Sequence, residues 1–364
     1  MKKLHIDILP YELHFKQPAG TSRGTYTTRK VWYLRAAQPD ERYQPSRENL
    51  LAELMHRNAR PAGVAGWGEC APLPQLSCDD VPDYESILRD VCDDVEATGT
   101  IPYDYLRSYP SMLFGLETAL RNLESGGGWH LWASNFSHGK EGITTNGLVW
   151  MGTAGEMQER IEHKLKQGFH CIKLKIGAID FEEELKLLHS IRQRFSPEQV
   201  ELRVDANGAF SPEEAPYKLE RLAEYQLHSI EQPIAAGNWE AMATLCRTSP
   251  LPIALDEELI QATEYMDKIK LLDTIHPQYI VLKPSLHGGI SGTEEWIDLA
   301  DERGINSWIT SALESNIGLN AIAQWCATLQ PTMPQGLGTG MLYNDNVESP
   351  LTMEGEKLWF RQHS

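Results

Sequence analysis

The stretch Cys171-Ile-Lys-Leu-Lys-Ile176 is the most informative part of the sequence for the fold, because its two lysines alternate with large aliphatic residues. Alternation with a period of two is typical of a β-strand, on which Lys173 and Lys175 share one face. In a parallel sheet that is covered by helices, both faces of a strand are buried. We therefore predict a strand whose lysines point to the inside of a closed sheet and whose aliphatic residues face helices.

Similar short runs rich in Val, Ile and Leu recur along the second half of the chain, each followed by a segment of helical character. Their ends lie about 25 to 30 residues apart, the length of one strand, one helix and two loops. Eight strands at this spacing favour a closed parallel TIM-type barrel, and no Gly-x-Gly-x-x-Gly turn supports a dinucleotide-binding fold. The predicted strands are residues 147–151, 171–176, 201–205, 228–231, 252–256, 279–283, 307–311 and 335–339.

The first 130 residues lack this spacing. They combine an alternating segment, Lys30-Val-Trp-Tyr-Leu-Arg35, with helical stretches near 81–97 and 110–124. We therefore predict an α/β protein with an α+β capping domain over residues 1–130 and a barrel over residues 131–340. The tail, residues 341–364, also lacks the barrel spacing, and we expect it to pack on the capping domain.

The chain has 364 residues and a formal net charge of −18. This acidic excess, without a run of Lys or Arg, argues against nucleic acid or an anionic membrane as a partner. No apolar stretch approaches the roughly 18 residues of a membrane span, and the N-terminus has no apolar secretion signal. The six cysteines form no Cys-x-x-Cys pair, so we expect a cytoplasmic chain with reduced cysteines. The oligomeric state stays open.

Ionisable residues end five consecutive predicted strands, and the ends of parallel barrel strands meet at one mouth. Three of them are Asp205, Glu231 and Asp256, on adjacent strands. Close carboxylates raise one another's pKa, and charges beside a buried core are costly unless they pair or bind a metal. Hard oxygen donors without sulfur or histidine suit Mg²⁺, or Mn²⁺ in its place. We predict a magnesium site, against the alternative that each residue is a solvated loop acid.

Lysines flank this predicted metal site on opposite sides. Lys173 and Lys175 lie on the second strand, and Lys283 ends the sixth, four strands away in a ring of eight. Neighbouring ammonium groups repel, so we expect Lys173 and Lys175 to have lowered pKa values. A lysine with a pKa near neutrality can act as a general base.

A divalent metal between opposed lysines suits the removal of a proton next to a carboxylate. A metal that binds the substrate carboxylate acidifies the adjacent C–H bond by stabilising an enediolate, and a lysine can remove the proton. The opposite lysine can protonate the other face, assist a leaving group or stabilise charge. The predicted partner is a small carboxylate, because the metal and the lysines set the local field.

The motifs that carry this chemistry are Gly66-Trp-Gly-Glu-Cys-Ala-Pro-Leu-Pro74, Lys173-Leu-Lys175, Asp205-Ala-Asn207, Glu231-Gln-Pro233, Asp256-Glu257 and Lys283-Pro284. Together they resemble the enolase superfamily, in its muconate-lactonizing-enzyme-like branch, over most of the chain. The resemblance implies a modified (β/α)7β barrel, whose eighth strand has no following barrel helix, beneath a capping domain. Within the branch, the stretches Thr21-Ser-Arg-Gly24, Ser311-Ala-Leu-Glu-Ser-Asn-Ile-Gly318 and Gly336-Leu-Gly-Thr-Gly340 resemble the o-succinylbenzoate synthase family.

The resemblance implies a magnesium-dependent lyase of menaquinone biosynthesis. Its reaction is the syn dehydration of 2-succinyl-6-hydroxy-2,4-cyclohexadiene-1-carboxylate to 2-succinylbenzoate. Lys175 matches the base that removes the α proton and then assists loss of hydroxide, Lys173 matches its helper, and Lys283 matches the cation that stabilises the enediolate. The residues that match the metal ligands are Asp205, Glu231 and Asp256.

The resemblance also implies substrate contacts. Ser311 and the backbone near Gly338 would receive the succinyl end, and Arg23 with its loop would close over the site. Asn207 and Glu257 adjoin two ligands and would support them, and Asn207 is also a candidate substrate-binding residue. Ser311, Gly338 and Arg23 have ordinary structural interpretations as well: a strand hydroxyl, a turn and a solvated arginine.

Three other functions remain open. An N-succinylamino acid racemase uses the same lysine–metal–lysine core, and the core motifs do not separate it from a synthase. A dipeptide epimerase usually has Asp-x-Asp on the eighth strand to hold an ammonium group, where this chain has Gly336-Leu-Gly-Thr339. A barrel that keeps the site only for structure or ligand binding would be expected to lack a lysine or a ligand, and none is missing.

Overall fold

The structure is a computed structural model and describes residues 4–21, 24–38, 45–55 and 64–361. Within these ranges it contains two three-stranded sheets and a seven-stranded parallel sheet, with helices around them. No helix in the described ranges combines the length and the apolar character that crossing a bilayer requires.

The capping domain consists of an antiparallel sheet with helices on both faces. Its strands are β1 (His5–Thr21), β2 (Gly24–Ala37) and β3 (Ala65–Cys70), and its helices are α1 (Arg47–Met55), α2 (Tyr84–Thr98), α3 (Tyr103–Leu106) and α4 (Pro110–Glu124). Helices α2 and α4 pack on one face of the sheet and α1 packs on the other. The two helices predicted near 81–97 and 110–124 are therefore present as α2 and α4. β2 lies in the middle of the sheet, with β1 and β3 at its edges.

Two glycines of β3 allow α4 to lie directly on the sheet. A Cβ atom on Gly68 would lie 2.0 Å from the carbonyl oxygen of Gly115, and one on Gly66 would lie 2.1 Å from that of Ala119. Contacts this short are impossible, so any side chain at either position would push the helix away. The Gly66-Trp-Gly68 part of the sequence motif thus has a packing role.

The barrel consists of parallel strands with helices outside them. After the two-residue strand β4 (Ile143–Thr144), the sheet contains β5 (Gly147–Val149), β6 (Cys171–Lys175), β7 (Glu201–Asp205), β8 (Ser229–Glu231), β9 (Ile253–Leu255), β10 (Tyr279–Leu282) and β11 (Asn306–Ile309). The helices are α5 (Ala154–Lys166), α6 (Phe181–Arg192), α7 (Ala215–Ala223), α8 (Trp239–Thr248), α9 (Tyr265–Ile275), α10 (Gly289–Asp301) and α11 (Asn316–Thr328), with a short 3-10 helix at Glu257–Leu259. Each strand pairs with the next in chain order, so the predicted barrel architecture is confirmed.

The eighth predicted strand is much shorter than expected. Gln335 bridges to Thr145 beside β5, and Gly336 bridges to Thr310 beyond β11, so these two residues join the two edges of the sheet. Residues 337–340 leave the sheet in a turn instead of continuing to residue 339. A Cβ atom on Gly336 would lie 2.2 Å from Thr310 Oγ1, and this close approach requires glycine at the closure.

The C-terminal tail contacts both parts of the molecule. Its hairpin, β12 (Leu351–Glu354) and β13 (Lys357–Phe360), forms a sheet with β4. The backbone N–H of Lys16 on β1 donates a hydrogen bond to Leu342, and that of Asn344 donates one to His14. The tail therefore lies against β1 as well as against the start of the barrel. The domain boundary between residues 130 and 131 stays a prediction.

Two glutamates of the capping domain bind the N-termini of barrel helices. Glu69 on β3 accepts a hydrogen bond from the backbone N–H of Ser315 (2.9 Å), immediately before α11. Glu117 on α4 accepts bonds from the N–H groups of Ile290 (2.6 Å) and Ser291 (3.2 Å) at the start of α10. The first N–H groups of a helix lack intrahelical partners, and the helix dipole favours negative charge there. These contacts hold the capping domain over the loops that follow β10 and β11.

We predict that Glu117 makes the stability of this interface depend on pH. Burial, which outweighs the hydrogen bonds from Ile290 and Ser291, raises the pKa of Glu117 from its usual 4.5 to about 7. The folded protein then binds more protons than the unfolded chain between these pH values, so the free energy of unfolding falls as the pH rises through this window. The full shift corresponds to about 3 kcal/mol. Glu117→Gln keeps one acceptor oxygen for these N–H groups but cannot ionise, so it should remove this pH dependence.

Urea unfolding of wild type and Glu117→Gln at pH 5 and pH 8 measures the difference. Glu124→Gln is a control, because Glu124 is an exposed glutamate on α4 of the same domain. Equal pH dependence in wild type and Glu117→Gln would contradict the prediction.

Candidate active site

The parallel register brings the charged strand ends together. Lys175 is paired with Asp205 across β6 and β7, and Asp205 is paired with Glu231 across β7 and β8. Asp256 and Lys283 directly follow β9 and β10. Because paired residues of parallel strands point to the same face, these side chains project into the barrel mouth. The structure thus places all six predicted lysines and acids, including Lys173 one step deeper on β6, at a single site.

The two lysines of β6 share the acids of the next two strands. Lys173 Nζ lies 2.9 Å from Asp205 Oδ2 and 2.5 Å from Glu231 Oε2. Lys175 Nζ lies 2.6 Å from the same Asp205 oxygen. The side chains of both acids are at most 3% exposed, so each buried negative charge has an ammonium group in contact with it.

Lys283 stands on the other side of the mouth. Its Nζ contacts Asp256 Oδ2, and the two side chains are 15% and 1% exposed. β10, which Lys283 follows, is four strands from β6 in the sheet. The predicted opposition of Lys283 to the β6 lysines is therefore present in the structure.

The predicted lowering of the lysine pKa values is wrong for Lys173. Burial alone would lower the pKa of Lys173, but the carboxylates of Asp205 and Glu231 outweigh burial and raise it. Burial also lowers the pKa of Lys283, whereas the charges of Asp256 and Glu231 raise it. The net change is upward. Attraction to carboxylates in direct contact exceeds the repulsion between ammonium groups, and the sequence prediction had considered only the repulsion.

The pKa values of the three acids shift in different directions. Burial, followed by the charges of Asp205 and Asp256, raises the pKa of Glu231 well above its usual value. Burial acts in the same direction on Asp205 and Asp256, but the lysines in contact with them lower the pKa of each. The prediction that converging carboxylates raise one another's pKa therefore holds for Glu231.

Asn207 connects Lys175 to Glu257. Its Oδ1 accepts a hydrogen bond from Lys175 Nζ (2.8 Å), and its Nδ2 donates one to Glu257 Oε1 (2.9 Å). Its backbone N–H donates to Asp205 Oδ1 at 3.0 Å, with a positive φ of 44° that asparagine tolerates. Burial and the charges of Asp256 and Asp205 raise the pKa of Glu257 to about 6. Asn207 thus orients Lys175 and is itself held by Glu257.

A cavity of about 620 Å³ lies over these groups. Of the predicted substrate-binding residues, Ser311, Gly338 and Asn207 line it, and Ser311 Oγ lies 2.6 Å from Thr339 Oγ1. Arg23 falls outside the described residues. Other side chains of the lining include Lys173, Lys175, Lys283, Glu231 and Glu257, together with the apolar Leu73, Leu76, Leu148, Trp150 and Trp308.

Sequence reasoning missed two charged residues beneath the rim of this cavity. Arg29 on β2 is 2% exposed, and its guanidinium donates to the carbonyl oxygens of Ala71 and Ala312. Glu314 accepts from the N–H of Ala312 at 2.7 Å and from the hydroxyl of Ser285. Arg29 shares its strand face with the buried Val31 and Tyr33, and this alternation was the signal that could have identified it. Nothing in the local pattern singles out Glu314 within the 311–318 stretch.

The acids fit a divalent cation by their chemistry. Asp205, Glu231 and Asp256 are hard oxygen donors, and Glu231 Oε1 and Asp256 Oδ1 are buried without a hydrogen-bond partner. In the described ranges, no three Asp, Glu, His or Cys side chains are gathered as a ready-made metal cluster. One oxygen of each of these acids contacts a lysine instead. The residues therefore supply the donors for a cation, and the lysines neutralise the acids in the arrangement described.

Comparisons with known proteins agree with this geometry. A family model described as enolase C-terminal domain-like matches residues 156–362. An o-succinylbenzoate synthase from Desulfotalea psychrophila is 48% identical over 95% of this chain and 96% of its own length. An N-succinylamino acid racemase from Amycolatopsis is 25% identical over 98% of this chain and 92% of its own length.

Two solved structures extend the comparison. The crystal structure of MenC from D. psychrophila superposes with a TM-score of 0.78 at 42% identity, covering 98% of this chain and 99% of that one. An o-succinylbenzoate synthase from Thermosynechococcus elongatus, solved with Mg in its active site, has a TM-score of 0.68 at 24% identity and covers 92% of both chains. At this lower identity the second structure supports the fold alone.

We predict that Lys173→Met makes the stability of the protein depend strongly on Mg²⁺. The substitution removes the ammonium group between Asp205 and Glu231 and leaves two buried carboxylates with less compensation. Removing one partner of a buried ion pair costs about 3 to 5 kcal/mol, and we expect a loss of this size in the free energy of unfolding in EDTA. Mg²⁺ would bring positive charge to the same acids, so saturating Mg²⁺ should recover most of the loss.

Urea unfolding in EDTA and in excess Mg²⁺ checks this expectation. Lys186→Met is the matched control, since Lys186 pairs with Glu183 on an exposed helix surface. Exposed pairs contribute at most about 1 kcal/mol, so this variant should change little in either condition. The same loss for Lys173→Met with and without Mg²⁺ would argue against cation binding by these acids.

Proposed function

The chain belongs to the enolase superfamily, and from this premise we propose that it is an o-succinylbenzoate synthase. The reaction is the dehydration of 2-succinyl-6-hydroxy-2,4-cyclohexadiene-1-carboxylate to 2-succinylbenzoate, a carbon–oxygen lyase step of menaquinone biosynthesis. The observation that carries the proposal is the 48% identity to the D. psychrophila o-succinylbenzoate synthase over 95% of this chain. The racemase is a more distant relative, at 25% identity.

We propose that Lys175 performs the proton transfers. It removes the proton α to the ring carboxylate and, once protonated, gives that proton to the departing hydroxide, which leaves as water. One base can serve both steps because a syn elimination takes place on a single face of the substrate. The hydrogen bond to Asn207 supports this role, because it aims the Lys175 ammonium group into the cavity.

Lys173 and Lys283 have electrostatic roles in this proposal. Lys173 lies between two acids next to Lys175 and assists the base. Lys283 faces the substrate from the opposite side and stabilises the negative charge that develops when the proton leaves. A raised pKa keeps the Lys283 ammonium charged, which suits a stabilising cation.

Asp205, Glu231 and Asp256 are the proposed magnesium ligands, and Mn²⁺ is expected to replace Mg²⁺. Enolase superfamily members bind Mg in the active site, as in the T. elongatus enzyme. When bound, the cation withdraws electron density from the substrate carboxylate and makes the adjacent C–H bond more acidic. Glu231 Oε1 and Asp256 Oδ1 are the donor atoms with no other partner.

The substrate contacts are proposed from the cavity lining. Ser311 and the backbone at Gly338 receive the succinyl end, and Asn207 faces the ring end beside Lys175. Arg23 stays a proposed contact from sequence alone. The apolar wall, which includes Trp150 and Trp308, suits the carbon ring of the substrate.

The partner proposed for the chain is therefore a small dicarboxylate and not nucleic acid or a membrane. The net charge of −18 argues against nucleic acid or an anionic membrane as the partner. We propose a cytoplasmic location, because all six cysteines, each within the described residues, are unpaired.

One comparison separates the synthase from the racemase. The assay measures dehydration of 2-succinyl-6-hydroxy-2,4-cyclohexadiene-1-carboxylate beside deuterium exchange into both enantiomers of an N-succinyl amino acid. A synthase dehydrates with a much higher kcat/KM than it exchanges. Exchange into both enantiomers without dehydration would reject the proposed function in favour of the racemase.

We predict that Lys175→Ala abolishes turnover and leaves Mg²⁺ binding nearly intact. Loss of a general base typically lowers the rate by about 100- to 10,000-fold, and Lys175 is proposed to serve in both steps. Steady-state kinetics and calorimetric titration with Mg²⁺ measure the two properties. Lys186→Ala, on an exposed helix, is the control and should keep wild-type kcat. An active Lys175→Ala enzyme would remove the base assignment.

We predict that Glu231→Gln weakens Mg²⁺ binding sharply. The amide has the shape of the acid but no negative charge. Since even the loss of an outer-shell partner costs about 10- to 100-fold in metal affinity, the loss of a ligand should cost at least as much. Glu258→Gln is the matched control, because Glu258 is equally buried but accepts bonds from Gly237 and Gln232 outside the main cavity. Unchanged Mg²⁺ affinity in Glu231→Gln would reject this ligand set.

A further inference from the structure

The turn that carries Lys283 is closed by a buried histidine. His287 Nδ1 accepts a hydrogen bond from the backbone N–H of Lys283 at 2.9 Å. The carbonyl of Lys283 accepts bonds from the N–H groups of Leu286 (2.8 Å) and His287 (3.0 Å). Both backbone groups of Lys283 are therefore held within one five-residue turn, at the point where β10 ends and the chain enters the barrel mouth.

The chemical state of His287 suits an acceptor role. The residue is 3% exposed. Burial lowers its pKa to about 3, because burial and the charges of Lys283 and Lys268 outweigh the opposite effect of Asp256. The ring is then neutral at physiological pH. Since Nδ1 accepts a hydrogen bond, the ring proton is on Nε2. Nε2 is buried and has no partner among the described residues.

The bond to His287 replaces a ladder bond of the sheet. Lys283 directly follows the last residue of β10, and a buried N–H without a partner there would cost about 1 to 3 kcal/mol. A side chain that satisfies this N–H also restricts the φ angle of Lys283 and hence the direction of its Cα–Cβ bond. The long side chain amplifies any change in that direction at Nζ, which must reach Asp256 and the cavity.

We infer that His287 is a positioning residue for Lys283, holding its backbone through Nδ1 so that the ammonium group is aimed at the substrate. The inference rests on the proposed function, in which Lys283 stabilises developing charge. It assigns to His287 no contact with substrate or metal. A displacement of about 1 Å at a reacting group can cost on the order of 100-fold in rate, so a backbone contact of this kind is able to affect turnover.

Three substitutions of His287 test whether the position of its hydrogen-bond acceptor matters, or only the presence of an acceptor. Asn places its Oδ1 close to where His carries Nδ1, whereas Gln places its acceptor one bond farther, and Leu has none. We expect His287→Asn to keep kcat within about 3-fold of wild type, and His287→Gln and His287→Leu to lower kcat by about 10- to 100-fold. KM and the dissociation constant for Mg²⁺ should change by less than about 3-fold in all three.

Thr293→Val is the matched structural control. Thr293 is fully buried in the first turn of α10, and its hydroxyl donates to the carbonyl of Gly289 at 2.6 Å. The variant loses a buried hydrogen bond from the same turn-and-helix unit without touching Lys283. It should lower the melting temperature and leave kcat unchanged.

The ranking of kcat decides the inference. A kcat near that of wild type in His287→Asn, together with a reduced kcat in His287→Gln, supports the inference. These two variants are sufficient even if His287→Leu does not fold. Equal kcat in Asn and Gln, or loss of kcat in Thr293→Val in proportion to its melting temperature, overturns the inference. Failure of the wild type to dehydrate the substrate rejects the proposed function separately. The same ranking is then measured on Mg²⁺-dependent deuterium exchange into N-succinylphenylalanine.

Discussion

The in-register pairing of β6, β7 and β8 is the constraint on which the site depends. It sets Lys175, Asp205 and Glu231 side by side on one face of the sheet, where water is largely excluded. Isolated charges in such a place are costly, so each must contact a charge of opposite sign. Lys173, one layer deeper, meets this requirement for two acids at once. A slip of one residue in any of these strands would turn the charged side chains into the helix layer.

The capping domain depends on the same barrel end for its attachment. Glu69 and Glu117 bind the starts of α11 and α10, and Arg29 binds the carbonyl of Ala312 in the loop after β11. These contacts supply hydrogen-bond partners to backbone N–H and C=O groups at helix ends and in loops. In a barrel alone, these groups would be exposed to water. The loop that contributes Leu73 and Leu76 to the cavity wall follows β3 directly. The attached capping domain therefore also forms part of the cavity wall.

The features that could be predicted from the sequence are those that depend on the spacing and alternation of residues. Strand positions, the inward face of β6 and the opposition of Lys283 all follow from spacing and alternation, and the structure contains them. The sequence did not predict properties that depend on distances between strands. The pKa of Lys173 is raised because two carboxylates touch it, and a one-dimensional pattern shows the neighbouring lysine more readily than the acids 32 and 58 residues away. The short eighth strand depends on the close approach of Gly336 to Thr310, which is likewise visible only in three dimensions.

Charge balance in the mouth indicates which substrates the site accommodates. The charges of three lysines and three proposed ligand acids cancel, so a bound divalent cation would give this group a positive net charge, which supports the proposed substrate with two carboxylates. The last barrel segment contributes Gly336, Gly338 and Thr339 to the cavity, none of which carries a charge. These three residues offer no counter-charge to an ammonium group, and burying such a group unpaired is unfavourable. We propose that the glycine-rich segment that completes the barrel thereby disfavours substrates with a free amine.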